Sequence, residues 1–126
     1  MILKDSIMND QVSIRVADLI GGPLGISAED GQKVFEKVLP LLKKSRPVNI
    51  SFDHVDMVIS LFLNVAIGQL YGSFSEDEVK ALVRVEGLSG DDMELLKHVV
   101  DNAKKYYSNP KGYDAAWQEE ASEDEQ

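Results

Sequence analysis

The stretch PVNISFDHVDMVISLFLNVAIGQLYG, residues 47–72, decides how this chain folds. Its first part, from Val48 to Phe52, alternates apolar with polar residues, which is the period of a β-strand. Residues 61–71 are apolar with few interruptions, and a helix that is apolar on nearly all sides has to be buried. The stretch therefore predicts an interior strand from Val48 to Phe52, followed by a buried helix that begins near Ser60.

The residues before this stretch predict a strand pair and a helix. Residues 12–16 alternate between apolar and polar side chains, which predicts a strand, and residues 1–10 supply a candidate hairpin partner with a turn at its end. A glycine-rich loop follows at residues 21–25. Ser27 is a favourable N-cap, and apolar residues recur at helical spacing from Val34 to Leu42. We expect a helix over this segment that leads into the central strand.

Three further elements are predicted after the buried helix. Ser75 and Glu78 have the spacing of a capping box, which predicts a short helix. Residues 83–85 indicate a brief strand, and Ser89 caps a final amphipathic helix. This order of elements is typical of a small α/β sandwich, with a mixed four- to five-stranded sheet and about four helices, over residues 1–109.

The composition is that of one small domain. Its mass of 14.0 kDa allows a hydrophobic core without disulfides, and the absence of cysteine fits a reducing compartment. No apolar run reaches the length of a membrane span, and the N-terminus lacks the layout of a signal peptide. We therefore expect a cytoplasmic protein without a membrane association. Residues 110–126 are mostly polar and acidic, and we expect them to form a flexible tail.

The charge and the motifs exclude several classes of function. A net charge of −9 argues against direct binding of nucleic acid. The glycines form no phosphate-binding loop, and no serine lies in a nucleophile elbow. His54 stands between Asp53 and Asp56, but without a second histidine nearby this group is a weak metal site. We expect no enzymatic activity, no cofactor and no metal.

The polar residues around the end of the central strand form the candidate site. Binding sites in open α/β sheets lie at the carboxyl ends of the strands, where Asp53, His54 and Asp56 are expected. Ser60, at the predicted helix start, has a simple structural interpretation as an N-cap. Its alternative is a regulatory one, because a phosphate at a helix N-terminus lies in a favourable field. Asn64 lies one turn further along the same helix.

The central stretch resembles the STAS domains (sulfate transporter and anti-sigma factor antagonist) and, more closely, a family of bacterial STAS-like domains of unknown function. The resemblance extends over residues 12–107 and leaves out the acidic tail. The residues that match the family pattern are Ile50, Phe52, Asp53, Val55, Asp56, Ser60, Phe62 and Gly68.

The resemblance implies a STAS-like sandwich that regulates another protein by binding it. The position of Ser60 corresponds to the serine that a kinase of the histidine-kinase ATPase fold phosphorylates in anti-sigma factor antagonists. The unphosphorylated antagonist binds that kinase or anti-sigma factor, and the phosphorylated form releases it. The chain departs from the antagonist pattern at Ile59, where antagonists have aspartate, and at Leu61, where they have serine or threonine. Partner binding by Asp53, His54, Asp56, Ser60 and Asn64 is therefore the first expectation, and phosphorylation of Ser60 the second.

Two alternatives of other classes remain open from the sequence. An acidic inhibitor, for example from a mobile element, would block a nucleic-acid-binding protein by presenting negative charge, as the net charge of −9 and the acidic tail suggest. Its binding would be sensitive to salt and lost on truncation after Pro110. A small-molecule site, in turn, needs a pocket. An unpaired edge strand or the exposed side of the central helix would allow the chain to form a homo-oligomer.

Overall fold

The structure, a computed structural model, describes residues 11–108. In this part of the chain, strands alternate with helices, as the sequence predicts. The strands are β1 Val12–Arg15, β2 Leu24–Gly25, β3 Val48–Ser51, β4 Met57–Val58 and β5 Val83–Glu86. The helices are α1 Val16–Ile20, α2 Ala28–Lys43, α3 Ser60–Ala66, a 3₁₀ helix Gly68–Gly72, α4 Glu76–Leu82 and α5 Gly90–Ser108.

The main sheet has three parallel strands in the order β1-β3-β5. Val48 of β3 lies opposite Val12 of β1 and Val83 of β5. The predicted central strand is therefore confirmed as the interior strand of this sheet. Parallel strands need long crossover connections, and here α1 and α2 join β1 to β3, whereas α3 and α4 join β3 to β5.

The two faces of the main sheet differ in polarity. One face carries valine and isoleucine. These side chains pack with apolar side chains of the helices in a single hydrophobic cluster, in which Val48, Ile50 and Phe62 are fully buried. The other face carries polar side chains, of which Arg15, Arg84 and Glu86 are exposed. The helices that contribute to the core thus pack on one face of this sheet.

A second sheet pairs β2 with β4 in parallel. Its register sets Leu24 opposite Met57 and Gly25 opposite Val58. The small α/β class is confirmed, but the five strands of the described region divide between two parallel sheets instead of forming one mixed sheet. Strands of two residues are too short to show an alternating pattern. For this reason β2 lay in the predicted glycine-rich loop, and β4 lay in the segment between the predicted central strand and the buried helix, where no element was predicted.

The helix starts agree well with the predicted caps. The Ser27 hydroxyl accepts a hydrogen bond from the Asp30 N–H at 3.1 Å, and the Ser89 hydroxyl accepts one from Asp92 at the same distance. Ser75 and Glu78 form both bonds of a capping box, at 3.1 and 2.8 Å. These capping predictions are confirmed.

Two helical predictions need correction. The buried helix predicted over residues 61–71 is divided into α3 and the 3₁₀ helix, because glycine at position 68 disfavours a continuous α-helix. A Cβ on Gly68 would lie 2.6 Å from the Asn64 Oδ1, so the glycine leaves room for the side chain of Asn64. The second correction is α1. Its first residue was assigned to the preceding strand, and no element was predicted for residues 17–20; the helix ends at Gly21 in a left-handed C-cap with φ 79°.

The predicted first strand at residues 1–10 and the acidic tail at 110–126 lie outside the described residues. Within residues 11–108, no helix has the length and hydrophobicity that a bilayer crossing requires.

Candidate functional site

The three parallel strands of the main sheet end at the same edge, and the candidate residues lie in the loops there. β1 ends at Arg15, β3 at Ser51 and β5 at Glu86, and these three residues are register partners. The loop from residue 52 to residue 59 leaves the central strand at this edge and leads into α3. The position predicted from the strand order is therefore confirmed.

A tight turn positions the first three candidate residues. The N–H of Val55 donates to the carbonyl of Phe52 at 3.0 Å, and the N–H of Asp53 donates to the Ser51 hydroxyl at 3.3 Å. Within this turn His54 has a left-handed backbone with φ 67°. Phe52 is buried, whereas Asp53, His54 and Asp56 are exposed. The turn thus presents three polar side chains to solvent from a fixed backbone.

The turn packs on the loop that follows β5. The N–H of Phe52 donates to the carbonyl of Glu86 at 2.8 Å, which extends the pairing beyond the strands. Gly87 next to it has φ 86°, a conformation that favours glycine. A Cβ at this position would lie only 2.7 Å from the Asp53 Oδ1 and 2.8 Å from the Asp53 nitrogen. Glycine at position 87 therefore lets Asp53 sit directly on the neighbouring loop.

Ser60 is not the cap of the buried helix. The N-cap of α3 is Ile59, and no side chain makes a capping hydrogen bond there. Ser60 is the first residue of the helix, and its side chain is exposed. The interpretation of Ser60 as a structural cap is therefore wrong. The hydroxyl has open access to solvent.

Asn64 shares the exposed face of α3 with Ser60. Residues four apart lie on the same side of a helix, and both of these are exposed. A Cβ on residue 68 would lie 2.6 Å from the Asn64 Oδ1. The Asn64 amide therefore covers the backbone of Gly68, just beyond the end of α3. Ser60, Leu61 and Asn64 together form the solvent-facing side of α3.

The small β2–β4 sheet holds the loop against the core beside Ser60. The N–H of Asp56 donates to the carbonyl of Pro23 at 2.7 Å, and the N–H of Ile59 donates to the carbonyl of Gly25 at 3.1 Å. Gly25 and Val58 face inward and are buried. A Cβ on Gly25 would meet the ring of Phe62 at 3.2 Å, so glycine allows this sheet to lie flat on the buried aromatic side chain.

The outward side of the small sheet is apolar and exposed. Side chains two residues apart on a strand point to the same face. Gly25 and Val58 face the core, and the residues before and after each of them, which face the other way, are all large and aliphatic. With the adjoining Leu61, they form what we call the ribbon face. Its members and their exposed fractions are Leu24 46%, Ile26 42%, Met57 53%, Ile59 37% and Leu61 49%.

The ribbon face is a concentration of apolar surface. It holds five of the seven large hydrophobic side chains that are exposed in residues 11–108. Single exposed hydrophobic residues are normal in proteins, whereas a cluster of them is a candidate interaction surface. Ser60 lies within it, between the exposed side chains of Ile59 and Leu61. Sequence reasoning named none of these five residues as site residues, although the alternation of Met57, Val58 and Ile59 was a signal for a half-buried strand.

Acidic side chains lie close in sequence to the ribbon face. Asp53 and Asp56 precede it, and neither forms an ion pair with another residue of the described region. Asp30, in the first turn of α2, is partly neutralised by Lys33 at 3.2 Å. The ribbon face is thus bordered by free carboxylates.

The described residues offer no metal site. No group of three or more histidine, aspartate or glutamate side chains in residues 11–108 is arranged to hold a metal ion. His54 and its two aspartates are exposed polar residues of a turn.

Comparison with known families identifies the middle of the chain. A family model described as a STAS-like domain of unknown function (DUF4325) matches residues 30–93. The match includes the central strand, the turn, Ser60 and α3, and it confirms the resemblance drawn from those residues. No curated protein and no solved structure matches the chain.

Proposed function

Because the chain belongs to this family of STAS-like domains, we propose that it is a non-enzymatic regulatory module that binds another protein through the ribbon face. The single observation that supports this most strongly is the clustering of exposed aliphatic side chains around Ser60. Burial of apolar surface drives most protein association. A catalytic role would need acid, base or nucleophile groups in contact, and the proposal assigns none.

The partner is expected to carry a basic rim around an apolar centre. Asp53 and Asp56 border the ribbon face without ion-pair partners in the described region, and complementary charge speeds association and fixes orientation. By analogy with anti-sigma factor antagonists, the partner is an ATPase-fold kinase or an anti-sigma factor in the cytoplasm. His54 and Asn64 extend the contact surface on either side of Ser60.

Phosphorylation of Ser60 is the proposed means of release. The exposed hydroxyl is accessible to a kinase. A phosphate there adds close to two negative charges between Ile59 and Leu61, and charge placed in an apolar interface disrupts it by the cost of desolvation. The same negative charge would attract the basic rim of the partner. Release therefore requires that the desolvation cost at the apolar contact exceed this attraction.

The proposal is tested by affinity capture from lysate of the source cell, followed by mass spectrometry. Wild type is compared with Met57→Glu, with Ser60→Asp and with Ala81→Glu, a control that adds a carboxylate at an exposed position of α4. We expect a kinase or sigma-system protein that wild type and the control retain and that the other two variants lose. Circular dichroism of each variant verifies that the fold is intact.

The outcomes separate the two parts of the proposal. Retention of the partner by Met57→Glu would refute binding through the ribbon face. Retention by Ser60→Asp, with loss by Met57→Glu, would refute only the phosphorylation switch.

The acidic-inhibitor hypothesis predicts a different result. Its partner would be a basic nucleic-acid-binding protein that all four proteins capture at low salt and release as salt rises, because charge–charge attraction is screened. Loss of that partner from a chain truncated after Pro110 would assign the binding to the acidic tail.

A further inference from the structure

A cavity on the other side of the molecule carries an inference that is independent of the ribbon face. Its volume is about 260 Å³, and it lies between α4, α5 and the edge strand β5. The inner wall is aliphatic and is formed by Ile67, Val79, Val83, Val85, Leu96 and Val100. The mouth is polar and is formed by Tyr71, Glu76, Lys80 and Lys104. None of these residues belongs to the ribbon face.

The cavity exists because the helices leave part of the apolar sheet face uncovered. On the interior strand, Val48 and Ile50 are fully buried. Their register partners on β5, Val83 and Val85, are only half-buried. α4, which runs directly into β5, has seven residues and is too short to cover them completely. A patch of apolar wall is therefore open to an occupant that is not one of the residues 11–108.

The mouth of the cavity holds one paired and one unpaired lysine. The Lys104 Nζ lies 3.0 Å from the Glu76 Oε2 and 3.7 Å from the Asp101 Oδ1. Lys80 is exposed and forms no ion pair with another described residue. Lys104 is thus already paired with two carboxylates, and Lys80 is the cation of the opening that has no ion-pair partner among the described residues.

Tyr71 adds a hydrogen-bond donor at the same opening. Burial raises the pKa of its phenol above the usual 10.0, so the hydroxyl stays protonated and can donate at neutral pH. A pocket with an apolar wall and a few convergent polar groups is the usual form of a small-molecule site.

We propose that this cavity binds a small amphipathic monocarboxylate, with its hydrocarbon part against the valines and its carboxylate at Lys80. A dry cavity of about 150 Å³ holds a benzene ring, so the space here accepts a hydrocarbon group of roughly benzene size with a short extension. An amine head at the same position would meet the unpaired ammonium of Lys80 and is disfavoured there by like charge. Medium-chain fatty acids and aryl-substituted short acids are the chemical class that fits.

The test is a titration of the full-length ¹⁵N-labelled protein with octanoate, followed by amide chemical shifts. Octylamine and 1-octanol provide the same chain with a cationic or a neutral head. We expect saturable shifts at Val83 and Val100 with octanoate, with a dissociation constant on the order of 1 mM or tighter. Octanol should bind up to about fivefold more weakly, and octylamine more weakly still, if an ion pair with lysine contributes a typical exposed-pair energy.

Two variants distinguish the cavity from general surface binding. Lys80→Gln removes the unpaired cation at an exposed position and should weaken octanoate binding up to about fivefold while leaving octanol binding unchanged. Lys97→Gln, an exposed lysine that does not line the cavity, is the matched control and should change neither. Met57→Glu should also leave octanoate binding intact, so this result is separate from the fate of the ribbon face.

Several results would overturn the proposal. Absence of saturable shifts around Val83 and Val100 would show that the cavity takes no such ligand or is filled by another part of the chain or by a second copy. Equal binding of all three probes, or equal effects of Lys80→Gln and Lys97→Gln, would reduce the site to a nonspecific apolar surface.

Discussion

The replacement Gly31→Ala tests how closely α2 and α3 pack behind the candidate site. Gly31 is buried in α2. A Cβ at this position would lie 2.8 Å from the backbone carbonyl oxygen of Phe62 and 3.0 Å from the Cβ of Val65. The carbonyl belongs to the helix backbone and cannot rotate away as a flexible side chain would. The two helices therefore have to move apart to admit a single methyl group.

The expected magnitude follows from two opposing contributions. Overpacking of a tightly packed site costs about 1–3 kcal/mol, and a contact with fixed backbone belongs in the upper half of that range. Alanine regains about 1 kcal/mol over glycine in a helix interior. The free energy of unfolding should fall by about 1–2 kcal/mol, which lowers Tm by roughly 4–8 °C in a domain of this size.

Urea unfolding and calorimetry of Gly31→Ala and of the control Gly90→Ala measure this effect. Gly90 begins α5, and a Cβ there would have no neighbour within 4 Å. The control should be unchanged or up to about 1 kcal/mol more stable, because alanine reduces the entropy of the unfolded chain. If Gly31→Ala proves as stable as wild type, the close approach of α2 and α3 is refuted. Equal losses in both variants would show that the contact is not the cause.

Two further predictions concern the caps and the ion pair of α5. Ser75→Ala should cost about 1 kcal/mol of unfolding free energy, whereas Ser60→Ala, which removes no capping bond, should stay within about 0.5 kcal/mol of wild type in urea unfolding; equal costs would contradict the assignment of Ile59 as the cap. Tm should fall above about pH 10. The hydrogen bond to Glu76 raises the pKa of Lys104, and burial raises the pKa of Tyr71. Both groups therefore stabilise the fold only while they are protonated. Lys104→Gln and Tyr71→Phe should each fall less over that range in thermal scans, and a fall equal to that of wild type in both variants would count against these shifts.

The elements that the sequence predicted well are those with local signals. The strand at Val48 to Phe52 shows a period of two over five residues, and Ser27, Ser75 and Ser89 each precede a helix with an acidic first turn. Both kinds of signal arise from neighbours in sequence, so they can be read without the fold.

The elements that were missed depend on contacts between distant residues. Leu24 and Met57 form one face only because β2 pairs with β4, and a two-residue strand has no period of its own. The prediction that Ser60 caps the helix was wrong for a similar reason. Both Ile59 and Ser60 stand at the helix start, and the hydrogen bond between Ile59 and the distant Gly25 fixes which of the two is the N-cap. The location of Asp53, His54 and Asp56 was predictable, because it follows from the end of a predicted strand.

The all-parallel pairing of the strands also has a consequence for the order of folding. Within residues 11–108 no two strands form a hairpin, and each ladder joins segments separated by at least one helix. The chain must therefore close long loops before any of these ladders forms, and the entropy of loop closure is lost before the new contacts compensate for it. Helices α2 and α3, which pack through Gly31, supply contacts that can form before the sheet is complete. The surface beside Ser60 depends on β2 meeting β4, so it is completed only when these distant segments meet.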